Sequence, residues 1–333
     1  MTAVDIEDLT PVAFSASSPT PSIDWGDLSA ARFSEPFFDQ TVERWAGGNP
    51  PPHLIRTGID ALRSFENKPL LDPAMLIFHL SRCGSTLVSR LMSLMPQTLV
   101  IAEPGPINSL LMSCFAQSED AAQIAILRWL VRALGPKRQE MQTHYVLKLS
   151  SWNVLRADLF RRAFPNAAIV WLQREPVEVM NSMLKSPTGW MRLRQFPMDA
   201  QLLFGIEATT LTDIGEELFC ARALAAMLTA AQNVCNDATV LVNYRELPDA
   251  VWTRLAPLAG VTLDDESIAA MRDRARYHSK SIEPRLFVED SVEKHDMPEV
   301  VQALAAHYIE PIYQDLERRR FDGVSHRTGM SGP

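Results

Sequence analysis

The residues best placed to do chemistry lie in the stretch Met75–Met92 (MLIFHLSRCGSTLVSRLM), where an apolar run meets a turn of small and basic residues and an amphipathic run follows directly. This pattern predicts a strand, a tight turn and a helix. A helix N-terminus presents unpaired N–H groups and a partial positive charge, which suits an anion such as phosphate. Gly84 lets the backbone approach closely, Ser85 and Thr86 supply hydroxyls, and Arg82 supplies a fixed charge. As residues alone, the same turn also reads as an ordinary helix cap.

A second basic turn lies about 90 residues later. Ala168–Ser182 (AIVWLQREPVEVMNS) reads as a buried strand, then Arg174, then a helix opened by Pro176. The Arg174 guanidinium can grip phosphate oxygens in bidentate fashion, and Ser182, eight residues on, adds a hydroxyl donor. Taken singly, it also reads as a capping turn with a surface serine. The charge around it is unusual: between Lys148 and Arg194 there are eight Lys or Arg against three Asp or Glu, in a chain of net charge −8. The nucleoside-triphosphate loop GxxxxGK[ST] does not fit the first turn. With Gly84 on its second glycine, His79 falls at the first glycine and Ser85 at the lysine that reaches the terminal phosphates.

Such turns need a sheet to present them. Short apolar runs at Met75–Leu80, Leu99–Ile101, Tyr145–Leu149, Ala168–Leu172 and Thr239–Asn243 predict strands, several of them apolar on both faces as in a covered parallel sheet. Helical patterns lie at Gly84–Met95, Pro106–Ala116, Ala121–Leu134, Pro176–Leu184, Asp213–Val234 and Pro298–Phe321. The alternation predicts an α/β fold, a three-layer sandwich with a mostly parallel central sheet. Arg318, Arg319 and Arg320 are expected to complement the dipole at the end of the last helix. Residues 1–22 are expected to be a flexible N-terminus, 23–73 a lead-in packing on the core, 74–321 the α/β domain, and 322–333 a disordered tail.

Composition narrows the function. At 333 residues, 47% hydrophobic and 22% charged, the chain reads as globular. No run of 18 apolar residues occurs, so no membrane span is expected. The negative charge disfavours a general nucleic-acid binder. Four scattered cysteines provide neither a disulfide framework nor a zinc knuckle, and the acidic start lacks the apolar core of a secretory signal, so a cytoplasmic location is expected. No cluster has metal-ligand spacing, and no metal is expected. Oligomeric state leaves no sequence trace.

Ser81–Leu87 (SRCGSTL) following a strand resembles the 5′-phosphosulfate loop of sulfotransferases, which use 3′-phosphoadenosine 5′-phosphosulfate (PAPS). The Arg174 and Ser182 pair resembles the 3′-phosphate signature of the same family. The resemblance runs over roughly Met75 to Phe287 and is strong at these two segments. It implies a P-loop-like sulfotransferase fold and transfer of a sulfuryl group to a hydroxyl or amine of a small-molecule or carbohydrate acceptor, releasing adenosine 3′,5′-bisphosphate. By resemblance, Ser81, Arg82, Cys83, Gly84, Ser85 and Thr86 would hold the phosphosulfate, and Arg82 would neutralise the bridging oxygen.

The same resemblance makes Glu103, after the next strand, the candidate base. A free Glu titrates near 4.3, so burial would have to raise its pKa. His79 is the alternative base, although a histidine within an apolar strand also reads as packed core. Lys148 would stabilise the transferred sulfate, and a lysine buried there without a partner would be costly, which favours a ligand-facing role. Ser279 and Lys280 resemble phosphate contacts of a late loop. Tyr244 lies in a segment similar to another family motif, from which Asn243 and Arg245 depart. Trp190, Met191 and Phe196 are candidates for an acceptor pocket or for core. A nucleotide-dependent phosphotransferase on the same scaffold and a non-catalytic nucleotide-binding protein remain the alternative functions.

Overall fold

Alternating side chains build a small sheet at the start of the chain. In a computed structural model, which describes residues 6–16, 20–48, 52–114, 121–280, 285–286 and 297–328, Thr10–Ser15 (β1), Ser22–Gly26 (β2) and Ile55–Gly58 (β3) pair antiparallel in that order. Ile23 and Trp25 of β2 are buried, whereas Ser22 before them and Asp24 between them are less so. That period of two is the signature of a half-covered strand. Trp25 stacks on Phe65 with ring centroids 5.5 Å apart. Phe38–Ala46 (α1) adds Phe38 to the same buried cluster. β1 therefore corrects the expectation of a flexible start through residue 22: its Phe14 is anchored in the core.

The five expected strands are all present, within two residues of their expected limits: Pro73–His79 (β4), Thr98–Ala102 (β5), His144–Lys148 (β6), Ala168–Gln173 (β7) and Val240–Asn243 (β8). They form one parallel sheet in the order β5-β6-β4-β7-β8. The helices are Ser85–Met92 (α2), Gly105–Cys114 (α3), Ala121–Leu134 (α4), Ala157–Ala163 (α5), Pro176–Lys185 (α6), Pro197–Phe204 (α7), Glu216–Val234 (α8), the short Ala256–Leu258 (α9), Asp265–Ala275 (α10), Glu299–Leu304 (α11) and Glu310–Thr328 (α12).

The sheet is covered on both faces. Met75 and Ile77 of β4 pack with Val88, Leu91 and Met92 of α2 and Met271 of α10. Leu76 and Phe78 pack into the larger cluster, with Leu127 and Leu130 of α4, Val179 of α6, and Phe219 and Leu224 of α8. The result is a three-layer α/β sandwich, and burial on both faces explains why these strands are apolar throughout.

The C-terminal helical run differs from expectation in two ways. A π-helical turn at Ala305–Ile309 separates α11 from α12, and α12 continues past Asp322, where a tail was expected, to Thr328. Arg318, Arg319 and Arg320 therefore lie within the helix and serve its flank. Arg318 and Arg319 pair with Asp315, and Arg320 pairs with Glu317 and with Glu246 next to β8. Residues 329–333 of the expected tail lie outside the described residues. No helix among the described residues is long and apolar enough to cross a membrane.

Candidate active site

Every strand of the parallel sheet carries a candidate side chain at or just beyond its C-terminal end. β4 ends at His79, β5 leads into Glu103, β6 ends at Lys148, β7 leads into Arg174 and β8 into Tyr244. From β4 the chain crosses to β5 and β6 on one side and later to β7 and β8 on the other, so β4 marks the switch in strand order. In open α/β sheets the crevice at that point is where ligands bind.

The turn after β4 is shaped by two left-handed residues, Arg82 at φ +61° and Gly84 at φ +83°. Gly84 immediately precedes α2 and, lacking a side chain, provides no cap of its own, while the Ser85 N–H is directed at the Cys83 sulfur. Ser85 and Thr86 are buried there. A Cβ on Gly84 would lie 2.7 Å from Leu247 Cδ1 and 2.9 Å from Tyr244 Cδ2. Together with the positive φ, this predicts that Gly84→Ala lowers unfolding free energy by about 1–2 kcal/mol. Urea unfolding checks it, and an unchanged midpoint would show that both neighbours yield without cost.

The two basic turns meet. Arg82 Nε donates to Ser182 Oγ at 2.9 Å, and the Arg174 guanidinium reaches the Arg82 carbonyl at 3.5 Å. Arg174 Nε also donates to Glu178 at 2.6 Å, and its guanidinium lies 4.3 Å from the centre of the Tyr244 ring. The Tyr244 ring thus touches both the mouth of the first turn and the cation of the second. Burial, and then repulsion from Arg174, push the Arg82 guanidinium below its ordinary pKa. Lys280, although exposed by surface area, is pushed down to about 8 by desolvation, with further repulsion from Arg82 and Lys148. Neighbouring cations that lower the proton affinity of Arg82 and Lys280 mark a place suited to a polyanion.

On the other side of the turn lies a carboxylate held by an ammonium. The Lys148 ammonium donates to Glu103 Oε1, Ser150 Oγ approaches Oε2 at 3.4 Å, and His79 Nε2 lies 3.7 Å from Oε1. The Glu103 N–H donates to the Lys148 carbonyl at 2.7 Å, so backbone and side chain both bind residue 148. Glu103 adopts φ +51°, a strained conformation for a non-glycine residue. Burial acts to raise its pKa, but Lys148 and then His79 outweigh it and hold the carboxyl well below the usual carboxylate range. This reverses the sequence argument, which needed burial to prevail. Lys148 is fully buried yet partnered, so its burial alone no longer argues for a ligand. His79 is packed in the core as well as near Glu103: its ring nitrogens face the Leu80 and Leu149 carbonyls at 3.1 and 2.9 Å.

Other candidates fall into structural roles. Ser81 Oγ donates to Ser151 at 2.8 Å and accepts from Trp190 Nε1 at 3.0 Å, which ties the turn to its scaffold. Cys83 is buried and its thiol is pushed up to about 12 by desolvation, so it stays protonated. Trp190 packs edge-on against Phe204 with Met191 also buried, whereas Phe196 is 54% exposed. Ser279 is half-buried on the loop after α10, where Tyr277 bridges to Leu286 and His278 N–H donates to Arg285 at 2.7 Å. Asn243 is turned inward, donating to Tyr313 and Glu317, and Arg245 pairs with Glu175. Among the described residues no group of three His, Cys, Asp or Glu is placed to hold a metal.

Three contributors were absent from the sequence reading. Glu178 stands one helical turn from Arg174, a spacing that was legible. Phe37, whose ring centre lies 5.2 Å from Lys148 Nζ, and Asp39, which accepts from the Gly105 N–H at 3.0 Å, come from the N-terminal segment and gave no local signal.

No protein-family model matches the chain, and no curated protein sequence does. Solved structures similar to it include sulfotransferase STF9 from Mycobacterium avium, with TM-score 0.45 and 16% identity over 76% of this chain and 80% of that one. A sulfotransferase from Alicyclobacillus acidocaldarius gives TM-score 0.42 and 16% identity over 76% and 97%. The sulfotransferase domain from the curacin biosynthetic pathway gives 0.39 and 12% over 71% and 97%.

Proposed function

We propose that this chain moves a sulfuryl group from PAPS to a hydroxyl or amine of a small-molecule or carbohydrate acceptor. The observation that carries the reading is the convergence of Arg82, Arg174, Lys148 and Lys280 around the start of α2 at the switch point of the sheet. These groups fit a nucleotide with an anion at each end. PAPS supplies an activated sulfuryl group, whose transfer breaks its bond to the 5′-phosphate oxygen and leaves adenosine 3′,5′-bisphosphate.

In this reading the Thr86 N–H and the hydroxyls of Ser85 and Thr86, with Arg82, hold the 5′-side oxygens. The lining of that turn is completed by Ser81, Cys83 and Gly84, through backbone in the case of Cys83. Arg174 and Ser182 hold the 3′-phosphate, and Ser279 and Lys280 close over it. Lys148 stabilises negative charge on the sulfuryl oxygens, and Glu103 accepts the acceptor's proton. Glu103 is a weak base while Lys148 holds it. When Lys148 turns its charge to the sulfuryl oxygens, the desolvation around Glu103 is less opposed and its proton affinity rises. Cys83, Cys220 and Cys235, free and buried, suit a reducing cytoplasm, part of the same proposal.

The test has two arms. Adenosine 3′,5′-bisphosphate is expected to raise the melting temperature more than ATP with Mg²⁺ at equal concentration, because Ser85 stands where a triphosphate loop carries lysine. Labelled sulfate is expected to pass from PAPS to at least one member of a panel of alcohols, phenols, amines and sugars. A larger shift with ATP would favour a phosphotransferase. Bisphosphate binding without transfer to any acceptor would favour a nucleotide-binding protein.

A further inference from the structure

The Glu103 turn is strained and must be held by its surroundings. β5 ends at Ala102, Glu103 takes φ +51°, and α3 starts at Gly105. One restraint comes from within the sheet, the Glu103 N–H to Lys148 carbonyl bond. Another comes from far away in sequence: Asp39, in the first turn of α1, accepts the N–H of Gly105 at 3.0 Å. That N–H is among those a helix start leaves unsatisfied, so a carboxylate from another element caps α3. The contact is close: a Cβ at residue 105 would lie 2.7 Å from Asp39 Oδ1, so the carboxylate would have to shift to admit one. Two residues earlier, the ring of Phe37 lies 5.2 Å from the Lys148 ammonium. One short piece of the N-terminal segment therefore touches both sides of the Glu103–Lys148 pair. Asp39 is exposed, and desolvation, Glu43 and Glu103 act to raise its pKa while the Gly105 bond lowers it.

We infer that the N-terminal segment is a clasp on the active site, with Asp39 the positioning residue that fixes the turn carrying Glu103 and Phe37 bracing its partner Lys148. Calling Glu103 the base rests on the proposed function; the clasp itself does not. Hydrogen–deuterium exchange over residues 102–106, where only Ala102, Glu103 and Gly105 carry amide hydrogens, tests it in the full chain. Asp39→Ala is expected to speed exchange there about tenfold. Asp39→Asn, whose carbonyl oxygen can still accept the Gly105 N–H, is expected to restore slow exchange. A general loss of structure would speed exchange in β7 as well, so that strand is the internal control. Unchanged exchange at 102–106 in Asp39→Ala, or Asp39→Asn behaving like Asp39→Ala, overturns the clasp. Titration of the wild type with adenosine 3′,5′-bisphosphate reports separately on the function: no binding would sink that reading and leave the clasp standing.

Discussion

Replacing Arg174 with alanine is expected to weaken binding of adenosine 3′,5′-bisphosphate about 100-fold, while changing the affinity for adenosine 5′-phosphate by no more than about threefold. Hydrogen bonds to charged groups contribute roughly 1.5–3 kcal/mol each, and the proposed site offers two from this guanidinium, so about 3 kcal/mol is lost. The side chain is already oriented before any ligand arrives. Glu178 takes its Nε, the Tyr244 ring lies against its guanidinium, and Nη1 lies 3.5 Å from the Arg82 carbonyl, which places the guanidinium beside the first turn. Removing it should cost little stability, because Glu178 is partly exposed and can hydrate. Calorimetric titration with both nucleotides gives the answer. Equal losses for the two would place Arg174 outside the 3′-phosphate site and undo the orientation proposed for the nucleotide.

The second large effect concerns Lys148. In the wild type the Glu103 carboxyl is held below its unfolded value of 4.5. Its pairing therefore adds stability above about pH 4.5, and that stability is lost as the pH falls toward the lower folded value. In Lys148→Met the ammonium is gone and only His79 still opposes desolvation, the largest single influence, so the folded carboxyl is expected to titrate above the unfolded one. The variant then carries a penalty at neutral pH that is relieved on acidification. Removing one partner of a buried pair costs about 3–5 kcal/mol, and because Glu103 keeps a quarter of its side chain exposed, about 2–3 kcal/mol is expected at pH 7. Urea unfolding at pH 7 and pH 5 should show the deficit shrinking at the lower pH. A deficit independent of pH would mean that water reaches Glu103 freely and that Lys148 contributes packing alone.

Much of this architecture could be read locally. A strand covered on both faces must be apolar throughout, and a strand–turn–helix junction with Gly84 beside hydroxyls advertises a helix start. Arg174 and Ser182 lie on one contiguous strand-to-helix segment, so their spacing is meaningful without coordinates. The electrostatic state of Glu103 was not legible, because its sign depends on Lys148, 45 residues away, competing with burial. The acceptor-side candidates failed to hold together for a similar reason. Trp190 and Phe196 are six residues apart, yet one packs on Phe204 and donates to Ser81 while the other faces solvent.

The amino-acid order by itself determined the layering of the fold, the five parallel strands and the two basic turns, since each depends on periodicity and turn chemistry within a few residues. Tertiary packing alone decided that Arg82 would meet Ser182, that Lys148 would be neutralised by Glu103, and that Asp39 and Phe37 would reach the same corner. Those contacts join residues 45 to 111 positions apart, and their energies depend on burial and on like or opposite charges brought together only when the sheet closes. Local pattern sets which elements form; the field at their converging ends exists only after they are assembled.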